Sequence, residues 1–314
     1  MTGAASRRAG LPARFWAYQR ERFPLAGFVP IIAAFTFSSA AYSRLARGSS
    51  GFIPWSRFGV GALTGLVFFF MLRVLDEHKD QDVDRRFRPE LPVPRGLVSL
   101  GELRAIGGGG LAVVVTLNAL VLPVLLVPIA IVAGWATLMT REFFVRDWLR
   151  ARPTAYLLTH MAIMPLIDTY TTGLDWLSVE WHLPAGLGLF LGVTFVNGML
   201  IEIGRKLRAL DAEREGVDTY TRAWGLRRAP VVWLILLATA ASLATLALRH
   251  VGSGALELGT IGLALLWAAR AAVRFLRRPD AASATGVEQA SQLWMFATYL
   301  ALGTLPFLVR SLGR

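Results

Sequence analysis

An all-α fold that crosses a membrane about nine times, with the N-terminus in the cytosol, is predicted by three features of this 314-residue sequence. These are its apolar content, the length of its apolar blocks and the sorting of its basic residues. The chain is 54% hydrophobic and 17% charged, too apolar a balance for a water-soluble globule of this length to hide. The apolar residues come in blocks of roughly 18–22, the length needed to cross a ~30 Å hydrocarbon core. Helices are the expected form, because lipid offers no partner to an unpaired backbone group.

Residues 1–24 are Arg-rich and lack an apolar stretch with a small-residue cleavage site, so they read as a cytosolic arm and not as a signal peptide. Residues 25–314 then read as a single helical membrane domain, with spans expected at about 25–45, 58–75, 103–121, 122–140, 153–173, 184–203, 229–248, 254–273 and 290–309. Only Leu122-Pro123 separates the third span from the fourth; a proline there removes a helix hydrogen bond and ends or kinks the helix. Gly107 to Gly110 suit close helix packing. Phe68 to Phe70, Trp135, Trp148, Trp176 and Trp181 read as core, lipid-facing or interface residues.

With nine spans, 26 Lys and Arg fall on one side and six on the other, Arg73 lying inside a span. The basic side includes Arg7, Arg8, Lys79, Arg141, Arg205 and Arg278; the other side has Arg44, Arg47, Arg57, Arg249, Arg310 and Arg314. The positive-inside rule places the first set in the cytosol, and removing one span would scramble the sorting. The same rule accounts for the net charge of +12 without nucleic acid as a partner. The absence of cysteine excludes disulfides, thiolate metal sites and a Cys nucleophile.

Asp and Glu number only 21, and the densest cluster runs from Asp76 to Asp84, directly after the second span. On a continuous helix Asp76, Asp80 and Asp84 are spaced by four and Glu77 joins them, while Asp82 falls on the opposite face. Like charges on one stripe call for a hard cation. Mg²⁺ takes oxygen ligands and commonly bridges carboxylates to substrate phosphates; a solvated charged loop is the bland alternative.

Asp76-Glu77-x-x-Asp80-x-x-x-Asp84, followed by Leu91-Pro92-Val93-Pro94-Arg95-Gly96, resembles the first signature of the UbiA superfamily of intramembrane prenyltransferases. That signature is Asn-Asp-x-x-Asp-x-x-x-Asp and then Arg-Pro-x-Pro-x-Gly. Asp76 and Glu77 stand for its Asn-Asp and keep oxygen ligands. Leu91 replaces its first Arg, a cation that Arg88 or Arg95 would have to supply. The family's second acidic signature is matched more loosely by Asn197, Glu202, Arg205, Lys206, Asp211, Glu213, Glu215, Gly216, Thr219-Tyr220-Thr221 and Gly225. Arg205 and Lys206 occupy places where the ladder calls for carboxylates. A continued helix would put Glu202, Lys206, Ala209 and Glu213 on one face, so Glu202 and Glu213 are the candidate second metal group. Arg205 and Lys206 would bind diphosphate directly, where relatives use a second Mg²⁺.

Thr140-Arg141-Glu142 sits where the family carries a basic phosphate contact, which makes Arg141 a further diphosphate candidate. In the fifth span His160 is a candidate base, and Asp168 and Tyr170, with Asn197, are candidate pocket residues; internal hydrogen bonding is their alternative. The resemblance implies Mg²⁺-assisted ionisation of a prenyl diphosphate and transfer of the prenyl group to a lipophilic acceptor. The expected setting is a plasma membrane, in a bacterium the inner one, with the site facing the cytosol. A terpene cyclase is the first rival. A transporter or scaffold is the second, against which the charges gather at helix ends and form no mid-bilayer relay.

Overall fold

The computed structural model describes residues 10–213 and 217–312. Arg7, Arg8, Arg214, Glu215, Gly216 and Arg314, all used in the sequence reading, lie outside the described residues. Among those residues the secondary structure is entirely helical.

A short amphipathic helix, α1 (Leu11–Arg22), precedes α2 (Leu25–Ala46) and α3 (Trp55–Lys79). A seven-residue helix α4 (Gln81–Phe87) and a loop lead to α5 (Leu100–Val121). A capping box starts α5: the Glu102 N–H donates to Ser99 Oγ at 3.2 Å, and the Ser99 N–H donates to Glu102 Oε2 at 2.8 Å. The chain breaks at Leu122 and makes a 3₁₀ turn over Pro123–Leu125 before α6 (Leu126–Thr140), so the third and fourth spans are separate, as the proline implies.

After α7 (Arg146–Arg150), the fifth span arrives in two pieces, α8 (Pro153–Met161) and α9 (Ile163–Trp176). Pro165 explains the break, since its missing N–H and its ring fall against the carbonyl of Met161, four residues back. Then follow α10 (Leu187–Arg205), α11 (Tyr220–Trp224), α12 (Arg228–His250) and α13 (Ala255–Arg277). The ninth span begins earlier than expected, as α14 (Ala281–Tyr299), because Asp280 caps it and Ala284 and Val287 are buried. It continues through a π turn (Leu300–Thr304) into α15 (Leu305–Leu312). Pro306 withholds the N–H that Leu302 would receive, which fits the wider turn. At that turn the chains approach closely: a Cβ on Gly303 would fall 1.9 Å from the Ser38 carbonyl oxygen, so only glycine fits.

Among the described residues eight helices are long and apolar enough to cross a membrane, and α8 with α9 supplies a ninth apolar stretch. The chain is an all-α polytopic membrane protein. Two packed groups form the bundle. Ala40, Phe68, Ile129, Ile167 and Leu174 join α2, α3, α6 and α9. Phe190, Trp233, Leu237, Phe275 and Trp294 join α10 and α12 to α14. Helix α9 packs on both α2 and α10 and so links the groups. The α1 residues Tyr18 and, just after it, Phe23 dock on Phe70, Val74 and Leu103. The glycine run divides: a Cβ would meet Met71 at Gly107 and Val67 at Gly110, whereas Gly108 and Gly109 face open space.

Candidate active site

The acidic segment sits where α3 ends. Its backbone keeps the four-residue spacing across the break, with the Asp80 N–H donating to the Asp76 carbonyl at 2.9 Å and the Asp84 N–H to the Asp80 carbonyl at 2.8 Å. The side chains nevertheless part into two pairs. Asp76 and Asp80 are exposed. Arg73 is the nearest cation to Asp76, at 3.8 Å, and the Asp80 carboxylate has no hydrogen bond or ion pair among the described residues. Glu77 and Asp84 are buried. Glu77 Oε1 accepts from Arg22 Nε at 2.7 Å and from the Tyr18 hydroxyl at 3.4 Å, both on α1. Asp84 lies 3.4 Å from Arg88 Nη1, and burial pushes its carboxyl above the ordinary range against the pull of Arg88 and Arg22. The expected one-face set of four is thus corrected. Docking of α1 takes Glu77 out of the open face, and Arg88 serves as a partner to Asp84.

Lys79, the last residue of α3, was not among the expected site residues. Its ammonium donates to the Tyr156 hydroxyl at 2.8 Å, pairs with Glu142 Oε1 at 2.6 Å and lies 3.5 Å from His160 Nε2. Tyr156 stacks on His160 with ring centroids 3.8 Å apart. His160 Nδ1 faces the Tyr156 carbonyl at 3.0 Å and therefore carries the ring proton, which leaves Nε2 turned to a cation. His160 is thereby an acceptor for Lys79, not a free base.

Helix α10 stops at Arg205, so the continued face through Ala209 to Glu213 does not form. Both Glu202 oxygens are engaged. Oε2 accepts from Arg205 Nε at 2.6 Å, and Oε1 meets Lys206 Nζ at 2.8 Å. Glu213 lies in the following loop, where Oε1 accepts from Thr219 and Thr221 hydroxyls at 2.6 and 2.7 Å. Glu202 is therefore committed within the protein, whereas Glu213 keeps a buried Oε2 with no hydrogen-bond partner among the described residues; the side chains beside Glu202 left to meet a ligand are the basic Arg205 and Lys206. Burial, then the field of Glu202, raises the nearby Tyr220 phenol well above its ordinary value. Arg141 is exposed on the outer side of its turn, while Glu142 points inward.

The deep polar residues are tied to neighbouring helices. Asp168 accepts from Tyr299 at 2.6 Å, Ser39 at 3.0 Å and Thr171 at 3.2 Å. Tyr170 donates to Asn118 at 2.8 Å. Asn197 accepts from Trp294 at 2.9 Å and donates to Thr298 at 2.9 Å. The expected pocket role of Asp168, Tyr170 and Asn197 gives way to interhelical bonding, since unmet polar groups are costly in an apolar bundle.

The two signature regions face each other across Tyr156, whose ring has Lys79 Nζ at 4.9 Å and Lys206 Nζ at 5.6 Å. Asp76 and Arg205 lie within each other's field. Among the described residues no three His, Asp or Glu side chains form a metal cage. The open Asp76 and Asp80 still fit Mg²⁺, which is commonly bound by one or two carboxylates together with water and substrate phosphates.

No family model matches the chain, and no curated protein matches it. Solved structures do. A digeranylgeranylglyceryl phosphate synthase in membranes is 14% identical with a TM-score of 0.64, covering 92% of this chain and 97% of its own. A UbiA homolog from Aeropyrum pernix K1 in its apo state is 15% identical with a TM-score of 0.64, covering 90% and 98%. A UbiA homolog from Archaeoglobus fulgidus bound to DMAPP and Mg²⁺ is 13% identical with a TM-score of 0.52, covering 88% and 98%. Shared over nearly the full length of each chain, at identities this low, is the fold: the chain has the helical architecture of UbiA homologs.

Proposed function

We propose that this protein ionises a prenyl diphosphate at the site between Asp76 and Lys206 and transfers the prenyl group to a lipophilic acceptor. The observation that carries this reading is the open Asp76–Asp80 pair, with Lys79 beside it, set across Tyr156 from the Arg205 and Lys206 cations. The shared fold supports it, and one structure with that fold holds DMAPP and Mg²⁺.

Asp76 and Asp80 would hold Mg²⁺, which would supply positive charge to neutralise the leaving diphosphate. Arg205 and Lys206 present donors to the same diphosphate from the opposite side, so charge developing on the leaving oxygen meets fixed cations. Their pairing with Glu202 holds both side chains in place before substrate arrives. The apolar helices around Tyr156 keep water from the allylic carbon. Incubation with Mg²⁺ and a panel of prenyl diphosphates tests the reading by product mass. Transfer gives diphosphate release that depends on a membrane lipid extract and a product heavier by one prenyl unit. An acceptor-independent hydrocarbon or terpene alcohol would replace transfer by cyclisation, and no turnover would remove the enzymatic reading.

The orientation we propose puts Asp76, Glu142 and Lys206 on the cytosolic side, from the 26-to-six sorting of basic residues. Since the chain has no cysteine, single reporters label without background. Asp147→Cys and Thr285→Cys, both at exposed positions, are expected to react from the cytosol only. Val179→Cys, on the opposite end, is expected to react from outside only. Labelling of Val179→Cys from the cytosol would overturn the orientation.

A further inference from the structure

Glu142 is a buried carboxylate that the mechanism above does not use. It is 5% exposed. One oxygen, Oε1, is taken by Lys79 at 2.6 Å. The other, Oε2, has no hydrogen-bond partner among the described residues, and His160 Nε2 stands 3.7 Å away, beyond hydrogen-bond distance. A buried acceptor left open loses hydration without compensation, and such groups are rare in folded proteins.

The backbone works to put it there. Glu142, Phe143 and Phe144 are consecutive non-glycine residues with φ of 49°, 52° and 61°. Left-handed conformations disfavour L-residues with a Cβ, and three in succession persist only where surrounding contacts hold them. Phe143 supplies those contacts, with its ring centroid 5.3 Å from Trp135 and 5.9 Å from His160. The turn reverses the usual outcome at a helix end, directing Arg141 to the surface and Glu142 into the site.

Resting on the transfer reading, we propose that Glu142 is the group that takes the proton from the acceptor, and that the acceptor bears an O–H or N–H at its nucleophilic atom. The open Oε2 is a hydrogen-bond acceptor awaiting a donor; Lys79, which precedes Asp80 in the chain, joins Glu142 to Tyr156, and the Tyr156 ring also has Lys206 against it. Lys79 takes Oε1 and leaves Oε2 open. His160 does not compete, because its free nitrogen already faces the Lys79 ammonium. In the step itself, the acceptor's O–H or N–H proton passes to Glu142 Oε2. The acceptor's electron pair forms the bond to the allylic carbon, and the carbon–oxygen bond to diphosphate breaks with its pair leaving on the diphosphate.

The test compares the parent with Glu142→Gln and Glu142→Asp. Binding is measured calorimetrically with dimethylallyl thiolodiphosphate, which does not ionise. Turnover is measured with dimethylallyl and geranylgeranyl diphosphates and three hydroxyl acceptors: a diacylglycerol, a lysophospholipid and a long-chain alkylphenol. Glu142→Gln is expected to bind the thiolo analogue within about threefold of the parent and to lose transfer by roughly 10²–10⁴-fold, with Glu142→Asp recovering at least about tenfold. Transfer by Glu142→Gln within about threefold of the parent would overturn the proposal. Equal loss of analogue binding and transfer in both variants would also overturn it, leaving Glu142 as a support for Lys79 alone. A parent that binds the analogue but forms only acceptor-independent products, or none with all three acceptors, would refute proton transfer to Glu142 while leaving the diphosphate site intact. A parent that does not bind the analogue would remove the prenyl diphosphate reading itself.

Discussion

Asp80→Asn is expected to lower diphosphate release by about 100-fold or more, whereas Asp82→Asn is expected to stay within about twofold of the parent. The contrast follows from where the two side chains stand. Asp80 is spaced by four from Asp76 and faces the same open ground, and its carboxylate is not occupied by any cation of the protein among the described residues. Asp82 projects to the other face of the turn. Because the Asp80 carboxylate has no hydrogen bond or ion pair to lose among the described residues, its amide variant should unfold at the parent temperature, and loss of activity then reads as loss of a ligand. Glu77→Gln is expected to behave differently. Glu77 holds Arg22 and Tyr18 of α1, so its loss should loosen the arm before it affects the diphosphate. Release that persists in excess chelator would remove the Mg²⁺ claim, and equal losses in Asp80→Asn and Asp82→Asn would show that the two carboxylates do not differ in role.

The spans were legible because lipid leaves a backbone few choices, so apolar length alone fixes most of the helices. What it did not fix is where a span is broken. Pro165 and Pro306 are plain in the sequence, yet whether a proline kinks, breaks or widens a helix depends on what packs beside it. At Pro165 the result is two helices; near Pro306 it is a π turn that admits the Ser38 backbone against Gly303. At the site, Asp76 and Asp80 could be read from spacing. The fate of Glu77 could not, because its partner Arg22 lies 55 residues away on a helix whose docking is a tertiary matter. Glu142 was the least legible. Its neighbour Arg141 looked the better ligand, and only a left-handed turn that local preference opposes turns the acid inward. The basic residues Arg205 and Lys206 were visible as departures from an acidic ladder, and their spacing of three and four from Glu202 suits ion pairs on one helix face; the end of the helix at Arg205, which takes Glu213 off that face, was not visible.

At the opposite end of the bundle, Asp175→Asn is expected to destabilise the protein by about 3 kcal/mol without changing how the remaining folded molecules treat diphosphate. Asp175 has a side chain only 2% exposed. It accepts from the Ser43 hydroxyl at 2.7 Å, from Arg44 Nη1 at 3.1 Å and from Arg47 Nη1 at 3.0 Å. These contacts tie the end of α2 to the end of α9, the helix that joins the two packed groups. Replacing the carboxylate leaves two guanidinium groups without their shared anion, and removing one partner of a buried pair commonly costs about 3–5 kcal/mol. The lower figure applies because Arg44 and Arg47 remain 22% and 14% exposed and can reach water. Glu180→Gln is the matched control. It removes the more exposed pair to Arg47 at 3.1 Å, for which less than about 1 kcal/mol is expected. Denaturant unfolding in detergent compares the two. A variant of Asp175 as mild as that of Glu180 would mean that α2 and α9 are held together by apolar packing alone. Combining Asp175→Asn with Arg44→Gln and Arg47→Gln should cost less than the separate losses added together, because residues in one ion-pair network are energetically coupled.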